Sequence, residues 1–185
     1  MIILITGKPN TGKSTAIHKI VDMLGRKRCS GLLAEEILVN NERVGFSTYG
    51  IQSKDKITLA HVDIDKKYAV EIFGVDLKAL ESLSEKELDI ALRDDKIKFI
   101  IVDEIGRMQV MSEKFRNLLD KIADSNKILI ASICFEDEVE YIRDFKNRDD
   151  VELIILNEEN RNEIPLKVIE EVNKDDDLYH ESILI

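Results

Sequence analysis

The sequence predicts an α/β fold: a mostly parallel central sheet with helices on both faces, a three-layer α/β/α arrangement carrying an inserted β-hairpin. Three observations predict it. Short apolar runs rich in β-branched residues recur along the chain, at Ile2-Ile3-Leu4-Ile5, Phe99-Ile100-Ile101-Val102 and Ile128 to Ile133. Such runs read as strands buried on both faces, the signature of a parallel sheet. Amphipathic stretches at helical spacing separate them. The 185 residues are 44% apolar and 35% charged, which suits one packed domain over 1–185 and excludes a fibrous or disordered chain.

The elements follow in order. Met1 to Thr6 is the first strand. In Lys13 to Leu24, the residues Ala16, Ile17, Ile20, Val21 and Leu24 line one helical face, and Gly25 is a natural stop. Leu33 to Val39 and Arg43 to Ile51 flank the turn signal Asn40-Asn41 and predict the hairpin. Ile57 to Val62 adds a third short strand. Asp76 to Arg93 reads as a helix with Leu77, Leu80, Leu83, Leu88 and Leu92 inward. Glu113 to Ala123 and the polar stretch Glu136 to Phe145 are further helices. Val151 to Leu156 is a fourth parallel strand, and Pro165 to Val172 is a helix with proline tolerated near its start. The acidic-then-apolar end, Asp175-Asp176-Asp177 and Ile183-Leu184-Ile185, matches no pattern.

Charge narrows the partners. Lys plus Arg total 27 against 37 Asp plus Glu, a net charge of −10. That argues against general affinity for nucleic acid or an anionic membrane. No apolar run approaches the ~18 residues of a membrane span, and no basic leader opens the chain. Cys29 and Cys134 have neither disulfide-scaffold nor zinc spacing, so a reducing, cytoplasmic setting is expected.

The chemistry starts at the first loop. Gly7-Lys8-Pro9-Asn10-Thr11-Gly12-Lys13-Ser14, followed by Thr15, matches G-x-x-x-x-G-K-[ST] between a strand and a helix. Glycines let the backbone curl into a nest of inward N–H groups, and the following helix aims its positive end at the same place. Lys13 is expected on the β and γ phosphates of a nucleotide, the Ser14 hydroxyl on Mg²⁺, and Thr15 near the α phosphate.

The second apolar strand runs into Asp103-Glu104-Ile105-Gly106-Arg107. Acids there emerge at the carboxyl edge of a parallel sheet, where α/β folds bind ligands. Asp103 is expected to hold Mg²⁺ with Ser14, and Glu104 to orient and deprotonate an attacking water. Gly106 completes D-x-x-G, so its N–H can approach the γ phosphate. A GTPase switch would also show D-x-x-G, but it needs N-K-x-D after a strand. Asn173-Lys174-Asp175-Asp176 has those letters and follows a predicted helix instead.

With these residues in view, the chain resembles the small nucleoside triphosphatases first described in thermophiles, also called the cancer-related nucleoside-triphosphatase family. The likeness spans roughly residues 1 to 172. It rests on the phosphate loop, on Ser30-Gly31-Leu32 through Glu35-Glu36-Ile37 with Arg43-Val44-Gly45-Phe46, on Phe73-Gly74-Val75-Asp76, and on Asn160-Arg161. Asp103-Glu104-Ile105-Gly106-Arg107-Met108 is its most specific run, with Arg107 where the family pattern has lysine. Leu32 stands where the pattern has an aromatic. The resemblance implies a RecA-like P-loop NTPase fold and Mg²⁺-dependent hydrolysis of several nucleoside triphosphates, ATP and GTP included.

A phosphoryl-transfer transition state also recruits a second cation. Arg107, Arg148 and Arg161 are the candidates, Arg107 being nearest the acids in sequence. Asn160 and Arg161, past the fourth strand, are candidates for base contact, with a cap as the alternative role for Asn160. Two other functions would use the same loop and acids: a kinase passing the γ phosphate to a small molecule or nucleic-acid end, and a nucleotide-dependent switch. No protein partner is legible.

Overall fold

The computed structural model describes residues 1–136 and 138–183, with side chains through residue 174. Strand β1 (Ile2–Thr6) leads through the glycine loop into α1 (Lys13–Leu24). A 3₁₀ turn at Arg26–Arg28 precedes β2 (Cys29–Val39), β3 (Glu42–Gly50) and β4 (Lys56–His61), then the short strands β5 (Ala69–Val70) and β6 (Phe73–Val75). Helix α2 (Leu77–Ser84) passes through a π-helical segment, Glu85–Asp89, into α3 (Ile90–Arg93). The rest alternates: β7 (Phe99–Ile105), α4 (Glu113–Ala123), β8 (Ile128–Ile133), α5 (Glu140–Lys146), β9 (Val151–Ile155) and α6 (Ile164–Ile183).

The nine strands among the described residues form one sheet, in the order β5-β6-β4-β3-β2-β7-β8-β1-β9. From β2 to β9 every pairing is parallel; from β2 outward to β5 every pairing is antiparallel. The parallel strands are buried on both faces because their residues alternate between two cores. Ile2, Leu4, Ile100, Val102, Leu129 and Ala131 join one cluster with Leu80, Leu83, Phe115, Leu119 and Ile142 from α2, α4 and α5. Ile3, Ile5, Phe99, Ile101, Ile128 and Ile130 join the other with Ile17, Ile20 and Val21 of α1 and Val168 and Val172 of α6. Each fully buried isoleucine contributes about 1.5–3 kcal/mol, so the apolar runs decide which segments lie at the centre.

Some elements differ from expectation. Asn40 and Asn41 do make the hairpin turn, both at positive φ (51° and 65°), as a type I′ turn requires. Beyond the hairpin and β4, however, β5 and β6 extend the sheet; at two and three residues they are too short to show alternation. The helix expected from Asp76 carries its π-helical segment where Glu87 turns inward. The helix expected over Glu136–Phe145 begins only at Glu140, and Asp137 within that expectation lies outside the described residues. Helix α6 runs past Val172 and takes in the N-K-x-D letters, away from any strand end. Leu184 and Ile185 lie outside the described residues.

Candidate active site

The site begins where β1 stops. Gly7 is buried, and a Cβ on it would collide with the carbonyl oxygen of Leu156, so the β9–α6 connection packs directly on the loop. Gly12 has φ 104°, left-handed backbone that favours glycine. It is also the N-cap of α1 and places no side chain over the helix end. Helices α2 and α4 are different: Asp76 accepts from Ala79 N and Ser112 accepts from Phe115 N. The first N–H groups of α1 are therefore left for an anion, the arrangement that binds phosphate.

Lys8, Pro9 and Asn10 are exposed on the outer limb of the loop. Thr11 Oγ1 donates to Lys8 O at 2.8 Å and braces it. Lys13 folds back over the loop, donating to Gly7 O at 3.0 Å and to Lys8 O at 3.4 Å. The same ammonium lies 4.0 Å from Glu104 Oε1. Ser14 and Thr15 open the first turn of α1, both exposed.

Strand β7 runs three residues beyond its apolar run, so Asp103 and Glu104 sit on its last turn of pleat rather than after it. Its Asp103–Glu104 peptide is cis. Asp103 is 2% exposed. Its Oδ1 accepts from Ser132 Oγ on β8, and its Oδ2 is buried with no hydrogen-bond partner among the described residues. Burial raises the Asp103 carboxyl above its ordinary value, against the Ser132 and Ser14 hydroxyls and the charges of His18 and Lys13. Glu104 is half-buried. Burial raises its carboxyl too, with Lys13 opposing, Asp103 adding to the rise and Lys146 opposing.

These donors fit a magnesium ion. An orphaned, buried carboxylate oxygen beside a serine hydroxyl offers the hard oxygen donors that Mg²⁺ prefers. Among the described residues no group of three or more His, Cys, Asp or Glu could hold a metal.

The three arginines part company. Arg148 is occupied by Asp150 (2.9 Å) and Asp124 (3.4 Å). Arg107 pairs with Glu136 at 2.6 Å and Glu138 at 3.5 Å, both on the connection after β8. Arg161 has no hydrogen bond or ion pair from its side chain among the described residues, and its Cδ lies 3.7 Å from the point a Gly12 Cβ would occupy. Asn160 spends its amide within the turn: Oδ1 accepts from Asn157 N at 2.8 Å and Nδ2 donates to Ile155 O at 2.9 Å. The Asn160 side chain thus braces the turn after β9 and does not cap α6, which begins at Ile164.

Two residues went unnoticed in the sequence. Ser132 is a lone hydroxyl in the apolar run Ile128 to Ile133, and that oddity was a readable signal. Lys146 is buried at the end of α5, donates to Phe135 O at 3.1 Å, and sets its charge toward Glu104. Nothing local distinguishes it from other helix-end lysines.

Known proteins resemble this chain over most of its length. The NTPase family model matches residues 2–169. Nucleoside-triphosphatase THEP1 of Thermotoga maritima is 38% identical over 164 residues, 89% of this chain and 91% of that one. THEP1 of Aquifex aeolicus is 36% identical over 170 residues, 89% of this chain and 94% of its own. Its crystal structure superposes with a TM-score of 0.83 at 34% identity, over 91% of this chain and 96% of that one. The solution structure of a human cancer-related nucleoside triphosphatase has a TM-score of 0.77 at 24% identity over 93% and 97% of the two chains, a likeness of fold. The capless loop, the orphaned aspartate behind it and a match spanning nine-tenths of the chain lead to one assignment: the chain belongs to the NTPase family.

Proposed function

We propose that the chain hydrolyses nucleoside 5′-triphosphates, ATP and GTP among them, to diphosphate and phosphate with Mg²⁺, and that Glu104 activates the water. The observation that carries this reading is the 4.0 Å approach of Lys13 Nζ to Glu104 Oε1 across the phosphate loop. It puts a carboxylate beside the cation that meets the γ phosphate.

The residues divide the work. The N–H groups of the loop from Gly7 to Ser14, apart from Pro9 which has none, and the open end of α1 cradle the phosphates, with Thr15 at the α phosphate. Lys13 exchanges two carbonyl partners for phosphate oxygens, so its charge is already aimed before substrate arrives. Ser14 and the orphaned Oδ2 of Asp103 would hold Mg²⁺, with Ser132 fixing the aspartate's other oxygen. Magnesium, when bound, neutralises charge on the β and γ oxygens. Glu104 takes the proton from water on the γ side, and the Gly106 N–H faces the same phosphate. Arg107 reaches the transition state by leaving two exposed glutamates, pairs worth about 1 kcal/mol or less each.

Among the described residues no helix is long and apolar enough to cross a bilayer. Composition and charge support a cytoplasmic location and argue against nucleic-acid partners.

The test is phosphate release from ATP, GTP, CTP and UTP with Mg²⁺, with and without EDTA, beside Glu104→Gln. Hydrolysis of several nucleotides is expected. The variant should keep nucleotide binding and lose roughly 10²- to 10⁴-fold in turnover. Undiminished turnover in Glu104→Gln would remove the glutamate from the mechanism. Label passing to an added hydroxyl acceptor in place of water would make the protein a kinase.

A further inference from the structure

We propose that Arg161 is the nucleoside platform of this site: its guanidinium plane lies against the base of the bound nucleotide and accepts any of the four bases. This rests on the nucleotide-binding reading above and deepens it.

The order of strands sets the direction of the substrate. The phosphate loop leaves β1, which stands between β8 and β9. Asp103 and Glu104 end β7, two strands away on one side of β1, and Arg161 follows β9 on the other side. A triphosphate whose γ end meets Lys13 and Glu104 must direct its nucleoside end toward β9. The β9–α6 connection is packed there, with Leu156 O against Gly7 and Leu156 N donating to Thr6 O at 2.7 Å.

Arg161 is the cation on that side. Its Cδ lies at van der Waals distance, 3.7 Å, from the point a Gly12 Cβ would occupy, and its guanidinium is uncommitted among the described residues. Arg107, at the acidic end, is held by two glutamates instead. A planar, weakly hydrated guanidinium stacks on any π-face. The Asn160 amide beside it is engaged within the turn, on Asn157 N and Ile155 O, and Asn157 Oδ1 accepts from Glu159 N and Asn160 N. Stacking by itself grips a base without discriminating, because every base has a π-face.

The experiment is calorimetric binding of ATP, GTP, CTP, UTP and inorganic tripolyphosphate, with Mg²⁺, to Glu104→Gln protein carrying Arg161, Arg161→Ala or Arg161→Lys. Arg161 is exposed, so folding is preserved, and an unchanged melting curve checks it. Both substitutions should weaken all four nucleotides roughly tenfold and leave tripolyphosphate as it was. Full rescue by lysine, or equal weakening of tripolyphosphate, would make Arg161 a phosphate contact and overturn the proposal. So would unchanged nucleotide binding, or an effect confined to one base. If nucleotides bind but wild-type protein hydrolyses none of them, the hydrolysis reading fails while the Arg161 comparison still gives its answer.

Discussion

Two carboxylates are buried among the described residues, and they are held in opposite ways. Glu87, 1% exposed, lies in the π-helical segment between α2 and α3. Its Oε2 accepts from Ser30 Oγ at 2.8 Å, Gln52 N at 3.1 Å and Gly31 N at 3.2 Å, and its Oε1 from Ser53 N at 2.7 Å. Asp103, 2% exposed, has one hydroxyl donor and one bare oxygen. Glu87 is saturated by its own chain and ties the start of β2 and the β3–β4 turn to the helices. Asp103 is left short by its own chain, and the shortfall is what a ligand completes. Burial alone does not mark a functional acid; unfilled hydrogen-bonding capacity does.

That contrast can be broken by mutation. The largest effect is expected from Glu87→Ala. It strands the N–H groups of Gly31, Gln52 and Ser53 and opens a void, a loss of about 4 kcal/mol by urea denaturation. Phosphate release by the folded fraction should keep its magnesium dependence. A loss under 1 kcal/mol would mean that the four bonds are not structural.

Asp103→Asn should do the reverse. Burial raises this carboxyl, so its ionised form at neutral pH subtracts from stability. The amide removes that penalty and still accepts from Ser132. The metal-free protein should melt a few degrees higher, a gain of about 1 kcal/mol, while nucleotide with Mg²⁺ should no longer stabilise it. A lower melting point would place Asp103 with Glu87 as a structural acid.

The smallest effect concerns a third buried acid, one with neither donors nor a ligand to complete it. Burial pushes the Cys29 thiol up to about 11, against the charges of Arg28 and Arg26. A raised group gives its full stability below its ordinary value and loses it as pH climbs. Stability should therefore fall between about pH 9 and 11, by about 1 kcal/mol or more beyond the fall in Cys29→Ala. Thermal melts across that range measure the difference, and parallel curves would contradict the assignment.

Legibility followed chain distance. The phosphate loop could be read because all its parts are contiguous: strand, glycines, lysine, hydroxyl and helix lie within Ile2–Leu24. The acids at 103 and 104 could be read because an apolar run ended in them. The pairing of Asp103 with Ser132 could not, since it depends on which strand lies beside β7. The same holds for Arg107, whose glutamates come from the connection after β8, and for Glu87, whose four donors come from two distant segments. Strands β5 and β6 were missed because two or three residues carry no period.

By itself the sequence determined the layers and the chemistry on offer. Apolar runs must leave water, glycine must serve where φ is positive, and a lysine after it must meet charge; these are local demands that a short segment satisfies alone. The tertiary structure alone decided the use of each group: among the described residues, which carboxylate is filled and which bare and which arginine is paired and which uncommitted, and which side of β1 takes the acids. Hydrogen-bond capacity and burial are properties of neighbours, and neighbours in a parallel sheet are set by strand order.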